Sequence, residues 1–417
     1  MSYVKNPSLA EQGRLNLEVA EKRMAALLEV RKRFEKEQPF KGLTIGMALH
    51  VTKETGVLVR TFTAGGAKVA ITGCNPLSTQ DDVAAALAEE ENVLLWAYKG
   101  ESNEDYYKFL TAVIETEPDI TIDDGCDLVT EIHQKHPALL EKVIGGCEET
   151  TTGIIRLRAM VKDSALKMPM IAVNDNKTKH LMDNYYGTGQ STLDGILRST
   201  NILIAGKTLV VLGYGSCGKG VAMRAKGLGA KVIVTEVDAF CGLQAAMDGH
   251  YVMRMEDAAP LGDIFITVTG NIHVIRTEHM EQMKDTAVLC NSGHFDNEID
   301  LEGLEAMAKR KRRVRHYLDE YLLKDGRVLY IAGEGRLVNL ASAEGHPSEV
   351  MSLSFCGQAL ACEYLVQHKG ALPNEVITLP PEIDDFIAHL QLKAMGLSKD
   401  ELTPEQIKYL SSWEEGT

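Results

Sequence analysis

Two groups of residues carry the chemistry of this chain. Lys179 and Asp183 stand four apart, with Asn184 next, in the run V-N-D-N-K-T-K-H-L-M-D-N. On a helix that spacing puts an amine and a carboxylate on one face, although such a pair on a surface helix is ordinary decoration. The second group is a glycine loop. The apolar run TLVVLGYG passes into G-Y-G-S-C-G-K-G, placing Gly213, Gly215 and Gly218 in G-x-G-x-x-G spacing before the helical VAMRAKGLGA. Strand, loop and helix in that order suit a dinucleotide pyrophosphate: one glycine turns, one lets the backbone approach phosphate, and one lets helix pack on strand. The next apolar run, KVIVTEV, ends in Glu236. A carboxylate there accepts from ribose hydroxyls and repels a 2′-phosphate, so NAD is expected over NADP.

Other polar segments are A-L-H-V-T-K-E-T (48–55), N-P-L-S-T-Q-D-D (75–82), D-D-G-C-D-L (123–128) and E-E-T-T-T-G (148–153), several of them where a strand-like run ends. His50, Ser78, Asp124 and Glu149 would each leave a different strand end and converge where doubly wound sheets bind ligands. His294 in N-S-G-H-F-D and His346 in A-E-G-H-P-S follow strands of a second series. Taken singly, E-E-T-T-T-G also reads as a helix start, and a histidine before Phe or Pro as a satisfied core residue. The residues by themselves imply an NAD enzyme with a polar, carboxylate-rich pocket.

The elements that must position these groups come in two series. The first forty residues have helical periodicity. LTIGMAL (43–49), KVAITG (68–73), NVLLWAY (92–98), DITIDD (119–124) and MIAV (170–173) then alternate with helical patterns. The second series is TLVVLGYG, KVIVTEV (231–237), IFITVTG (264–270), AVLCNSG (287–293) and VLYIAG (328–333). Strands alternating with helices argue for parallel βαβ units. The expected fold is α/β: two doubly wound Rossmann-like domains with a cleft between them and a small C-terminal tail. The predicted divisions are residues 1–184 with 348–377, residues 185–347 for NAD, and an oligomerisation tail at 378–417. The segment 184–206 reads as a hinge followed by a helix, and KRKRRVR (309–315) as a solvated helix end.

Composition narrows the function classes. Fifty-nine acidic against 44 basic side chains leave a charge of −15, which disfavours a nucleic-acid partner. No run approaches the ~18 apolar residues of a membrane span, and no signal peptide is visible, so a cytoplasmic protein is expected. The eight cysteines never form C-x-x-C, and no H-E-x-x-H occurs; neither a disulfide framework nor a metal is expected. The Arg–Glu–His set of a 2-hydroxyacid dehydrogenase is not found.

The segments C-N-P-L-S-T-Q-D, D-D-G-C-D-L, E-E-T-T-T-G, V-N-D-N-K-T-K, G-Y-G-S-C-G-K-G, G-H-F-D-N-E-I-D, G-E-G-R-L-V-N-L and G-H-P-S resemble, in order, the signatures of the S-adenosyl-L-homocysteine hydrolase family. The resemblance spans nearly the whole chain, in the family's short form. It implies that bound NAD oxidises the nucleoside 3′-hydroxyl, that the acidified C4′ proton is lost, that homocysteine leaves C5′, and that water addition and re-reduction follow. It implies roles for residues: Lys179 as base at the 3′-hydroxyl, made deprotonated by burial and neighbouring donors, with Asp183 and Asn184 holding it. Glu149 would bind the ribose hydroxyls, Asp124 with His50 would act near C4′ and C5′, and His294 would lie on the homocysteine side. Thr52, Glu54, Thr55, Ser78 and Thr150 match substrate contacts, and His346, Met351 and Phe355 the nucleoside wall. For NAD the matches are Gly213, Gly215, Ser216, Cys217, Gly218, Glu236, Thr150, Thr151, Thr152, Thr269, Asn271, Asn291, Gly293, His294 and Asn339.

Departures accompany the resemblance. Thr188 stands where many members have cysteine, and Cys241 where asparagine usually meets the NAD ribose. The chain end lacks the Lys and Tyr that longer members insert into a neighbour of the homotetramer. Some short-form members act on S-inosyl-L-homocysteine and carry Glu and Lys at the positions of Thr52 and Glu54. A carboxylate at 54 accepts from the adenine amine and opposes the hypoxanthine carbonyl, tilting the expectation toward adenosine. Glu344, where long forms often have methionine near the base, weakens that argument. The alternatives are the inosyl substrate and an inactive NAD-binding relative.

Overall fold

The computed structural model describes residues 2–413. Seven strands build most of the first sheet: β1 (Tyr3–Val4), β2 (Thr44–Ala48), β3 (Lys68–Thr72), β4 (Val93–Ala97), β5 (Ile120–Asp123), β6 (Gly145–Glu148) and β7 (Met170–Ala172). The second sheet has β8 (Thr208–Leu212), β9 (Lys231–Thr235), β10 (Tyr251–Val252), β11 (Ile264–Thr267), β12 (Ala287–Asn291), β13 (Ala308–Arg315), β14 (Leu318–Leu323) and β15 (Val328–Ala332). A late strand, β16 (Val376–Ile377), returns to the first sheet beside β7.

The strand orders are β1-β4-β3-β2-β5-β6-β7-β16 and β10-β9-β8-β11-β12-β15-β14-β13. The first sheet is parallel throughout; the second is parallel except for β13 and β14. Each order reverses once, between β2 and β5 and between β8 and β11. Those reversals open crevices at the strand ends, where doubly wound sheets receive ligands. The expected α/β architecture with two Rossmann-like sheets is therefore the observed one. Central strands such as β8 and β12 are buried because helices cover both faces of a parallel sheet, so they read as unbroken apolar runs.

The chain crosses between sheets twice. The first crossing is a π-helix, Lys179–Gly187, running into the α-helix Thr188–Thr200; the expected hinge is thus helical. The second crossing, after Ala341, leads into the helix Ser348–Gln367. That helix is apolar on nearly all sides and buried against the first layer, with Phe355, Cys356, Leu360 and Leu365 joining Leu17, Leu27, Phe34 and Phe62 in one core.

The basic run KRKRRVR corrects the sequence reading. It is the edge strand β13, not a helix end, and pairs antiparallel with β14. Its charges meet acids: Arg312 donates to both Glu320 oxygens at 2.7 and 3.0 Å, and Arg313 to Asp319 and Glu334. Arg312 and Arg313 stand directly opposite Glu320 and Asp319 in register, so cross-strand charge pairing, not a helical face, accounts for the run. The tail divides. Its helix Pro381–Ala394 buries Ile387 against the chain's own first core, whereas the helix Pro404–Leu410 has no buried residue. The last four positions of the expected oligomerisation tail, 414–417, lie outside the described residues.

Candidate active site

A cavity of about 1110 Å³ runs from the carboxyl ends of the first sheet to those of the second. Its first half is built at the β2/β5 reversal. His50 follows β2 and Asp124 follows β5; His50 Nε2 lies 3.4 Å from Asp124 Oδ2, and His294 Nδ1 reaches Asp124 Oδ1 at 3.5 Å from the other sheet. Ser78 Oγ is 2.8 Å from His50 Nδ1 and Cys74 Sγ 3.2 Å from the same nitrogen. Gly125 (φ +111) makes this meeting possible, because a Cβ there would stand 2.3 Å from His294 Nε2. Burial pushes His50 down to about 4 against the pull of Asp124, so its imidazole is neutral at pH 7. These three residues bring donor atoms within 4.8 Å of one another, a spacing that could also hold a metal ion.

Lys179 occupies the junction of the two halves. A π-turn is wider than an α-turn, and here both the i+4 and i+5 side chains face the amine: Asp183 Oδ2 at 2.8 Å and Asn184 Oδ1 at 2.9 Å. Glu149 Oε1 lies 3.3 Å away. Asn184 donates onward to Asn174 Oδ1 at 3.0 Å, and Asn174 to Thr151 Oγ1 at 2.9 Å. Far from surface decoration, the pair is buried. Burial acts to lower the Lys179 pKa, but Asp183 and then Glu149 overcome it and hold the amine above its ordinary range. The expectation that the surroundings deprotonate Lys179 is therefore reversed: two carboxylates keep it charged. For Asp183, burial acts upward and is outweighed by His346 and Lys179, which bring it below the usual carboxylate range.

Several residues that hold this centre were not read from the sequence. Ser354 and Gln358, four apart on the helix Ser348–Gln367, each donate to one oxygen of Glu149. Two polar residues at helical spacing inside an apolar run were the available signal. Glu148 is fully buried, and its Oε1 accepts from Gly125 N at 2.9 Å and Thr150 N at 3.0 Å, tying together the turns that present Asp124 and Glu149. Glu298 accepts from Thr269 N, Thr269 Oγ1 and Gly270 N.

Most of the expected contacts line the cavity: Thr52, Thr55, Thr150, Thr151, Thr152, His346, Met351 and Phe355, and on the second sheet Gly213, Gly215, Ser216, Cys217, Glu236, Thr269, Asn271, Gly293, His294 and Asn339. Four lie behind this wall. Ser78 backs His50, and Gly218 packs its helix on Gly213, where a Cβ would stand 2.0 Å from the Gly213 carbonyl oxygen. Glu54 is buried and accepts from Ser348 Oγ at 2.6 Å. Asn291 braces the loop before His294, accepting from Gly293 N at 2.8 Å and donating to Phe295 O at 2.7 Å. Glu344 bridges Lys53 and Arg198 at 3.1 Å each.

The second half of the cavity fits a dinucleotide. Gly213 has φ +108, and a Cβ on Gly215 would meet nothing within 4 Å, so the loop backbone borders open space at the start of the helix Ser216–Gly227. Glu236 accepts from Tyr214 N at 2.6 Å and Val237 N at 2.7 Å, fixing its carboxylate where ribose hydroxyls would come. Asn339 donates to Ser191 while its buried Oδ1 has no partner among the described residues, an acceptor suited to a carboxamide.

Comparison with known proteins agrees with this geometry. Residues 2–136 match the S-adenosyl-L-homocysteine hydrolase family model, and residues 184–345 the model of that hydrolase's NAD-binding domain. The adenosylhomocysteinase of Aquifex aeolicus (strain VF5) is 60% identical over 414 residues, spanning 99% of each chain. The chain belongs to the S-adenosyl-L-homocysteine hydrolase family. The S-inosyl-L-homocysteine hydrolase of Methanocaldococcus jannaschii is 57% identical over 417 residues and 100% of both chains, and the adenosylhomocysteinase of Sulfurisphaera tokodaii 56% over 418 residues, again 100% of both. Members of this family use NAD, and the glycine loop, Glu236 and Asn339 are the residues here that would hold it. No helix among the described residues is long and apolar enough to cross a membrane.

Proposed function

We propose that the chain reversibly hydrolyses S-adenosyl-L-homocysteine to adenosine and L-homocysteine. The observation that carries this reading is the placement of Lys179, within 3.3 Å of Asp183 and Glu149 and between the dinucleotide cradle and the Asp124–His50–His294 cluster. A hydrolase that only added water would have no use for a base beside a nicotinamide position.

Bound NAD supplies a two-electron acceptor for the 3′-carbon and returns the electrons at the end of the cycle. Glu149, clamped by Ser354 and Gln358, binds the ribose hydroxyls and orients the 3′-oxygen toward Lys179 Nζ. Lys179, in its deprotonated form, receives the 3′-hydroxyl proton and later gives it back. Once the 3′-position is a ketone, the C4′ proton is acidic because the carbanion is delocalised. The Asp124–His50–His294 cluster takes that proton, protonates the departing thiolate sulfur and orients the incoming water at C5′. Its three groups come from both sheets, so closing the sheets assembles it and excludes bulk water.

Adenine is the preferred base. Glu54 stands just behind the wall residues Thr52 and Thr55, with Oε1 held by Ser348 and 3.4 Å from Lys53 Nζ, and its second oxygen carries no hydrogen bond among the described residues. An exocyclic amine would satisfy it, whereas the hypoxanthine carbonyl would oppose it at ~1–3 kcal/mol, up to about a hundredfold in rate. The second reading, the S-inosyl thioether, is favoured by the 57% identical relative that carries that name. Initial rates on the two thioethers decide: a strong inosyl preference overturns the role given to Glu54. Failure of adenosine to reduce the bound NAD, read at 340 nm, overturns the whole reading. We also assign the enzyme to the cytoplasm as a homotetramer, which sedimentation of the purified protein checks.

A further inference from the structure

The π-helix that carries Lys179 is capped from elsewhere in the chain. Thr178, at its N-terminus, makes no capping bond of its own. The amides of the turn are met instead by Asp384, on the tail helix Pro381–Ala394. Its carboxylate accepts from Lys177 N at 2.6 Å and Thr178 N at 3.1 Å, and Thr178 Oγ1 donates to it as well. A carboxylate across the first amides of a helix satisfies donors that have no partner within the helix and lies at the positive end of its dipole. The tail helix is itself anchored. Ile387 is fully buried, and Ile383 and Leu390 pack against the same core as Phe355 and Leu360 of the helix Ser348–Gln367. That helix is the one that clamps Glu149 through Ser354 and Gln358.

The far end of the π-helix is fixed too. A Cβ on Gly220 would stand 1.9 Å from the Tyr185 carbonyl oxygen, and one on Gly189 2.5 Å from the Gly220 carbonyl oxygen. The helix Ser216–Gly227 therefore lies directly against the segment and its continuation. A π-turn holds one residue more than an α-turn, and such turns are rare because α-register packs better. Between two fixed ends the surplus residue cannot be expelled. It is this surplus that turns both Asp183 and Asn184 toward Lys179 Nζ. In an α-helix the i+5 side chain would stand roughly 140° round the axis from Lys179.

Resting on the oxidation step proposed above, we infer that Asp384 is a positioning residue for that step: by capping residues 177 and 178 it holds the π-register that keeps Asn184 on Lys179. Asp384 does not line the cavity and meets no substrate. It acts through the backbone of the turn. Without it the turn can slide toward the loop, the surplus residue leaves the helix, and Asn184 withdraws from the amine and from Asn174. The tail helix Pro381–Ala394 thus serves the catalytic half of its own chain, whatever the residues beyond it do between chains.

A double-mutant cycle on the holoenzyme tests this. Asp384→Ala should slow single-turnover reduction of bound NAD by adenosine about ten- to a hundredfold, with the adenosine concentration for half-maximal rate nearly unchanged. Asn184→Ala should slow the same step. The double variant should be no slower than Asn184→Ala alone, because both changes remove one contact; a tail that merely stabilises the fold would multiply the two losses. Asp384→Asn keeps one acceptor oxygen and should lose less, and it replaces alanine in the cycle if that variant does not fold. A crystal structure of the Asp384 variant should show Asn184 turned away from Lys179. A wild-type rate in the variant, multiplied losses in the cycle, or Asn184 Oδ1 still 2.9 Å from Lys179 Nζ overturns the assignment. Wild-type protein that never reduces NAD with adenosine would instead overturn the oxidation step, and the variant's structure would still decide the register.

Discussion

Asp123 and Glu148 lie opposite one another in register across β5 and β6, both fully buried, and each immediately precedes a residue of the candidate site, Asp124 and Glu149. Burial pushes Asp123 up to about 7 and Glu148 well above its ordinary range, their neighbouring carboxyls adding to the effect. Beneath the candidate site therefore sits an acid pair whose double ionisation is opposed by burial and by mutual repulsion. Asp123 accepts from Asp124 N and Val129 N, and Glu148 from Gly125 N and Thr150 N, so the pair fixes both loops at once.

A neutral Glu148 is mimicked by glutamine. Glu148→Gln should keep most of the activity, because the amide oxygen can still accept from Gly125 and Thr150. Glu148→Ala leaves those buried donors unpaired, at ~1–3 kcal/mol each, and should lower thermal stability and kcat together. Calorimetry and steady-state rates on the two variants check this; equal damage in both would mean that the charge, not the acceptor, matters.

The site's two halves should separate by partial reaction. Lys179→Ala should lose 3′-oxidation by about 10²–10⁴-fold while still binding nucleoside. Asp124→Asn should still reduce the bound cofactor at 340 nm yet release no thiol from the thioether. Identical losses in both steps for both variants would show that the division is misplaced.

Glu101, buried behind Gly73 with neither oxygen partnered among the described residues, is raised to about 8 by burial. A carboxyl whose folded pKa exceeds its unfolded value near 4.5 stabilises the fold below pH 4.5, and that contribution is lost as pH rises to about 8. Glu101→Gln should therefore flatten the dependence of Tm on pH between these values and raise Tm by about 2–4 °C or more at pH 8. Melting curves at pH 5 and 8 decide it.

At the cofactor loop, Gly218→Ala places a Cβ against the Gly213 carbonyl oxygen. Helix and strand must separate, and NAD affinity should drop about tenfold or more, measured by titration of stripped enzyme; unchanged affinity would mean that the loop yields without cost.

What the sequence made legible follows from burial. β2, β3, β5, β8, β9, β11 and β12 are apolar runs because they are covered on both faces, and the polar residues that end them mark the crevices. β6 is implied only by the strand end expected before Glu149 and forms no apolar run, because Gly-Gly-Cys-Glu has little strand propensity; Gly146 is held where a Cβ would strike Thr121 and Met170. Glu148 was overshadowed by Glu149 beside it. Burial alone argues for a neutral Lys179; the pull of Asp183, four positions on, and then of Glu149, thirty positions upstream, outweighs it. The His346–Asp183 contact joins positions 163 apart and leaves no local pattern.

The borders of the two sheets share a further property. Three of the four outer strands, β1, β10 and β16, are two residues long. The fourth, β13, has eight residues and is the one that carries Lys309, Arg310, Lys311, Arg312, Arg313 and Arg315. A long bare rim of backbone donors and acceptors is a template on which a second molecule can grow, and like charges repel a second copy laid along it. Lysine and arginine along such a rim oppose its pairing with a further strand, and here they also hold β13 to its own neighbours through Glu320, Asp319 and Glu305.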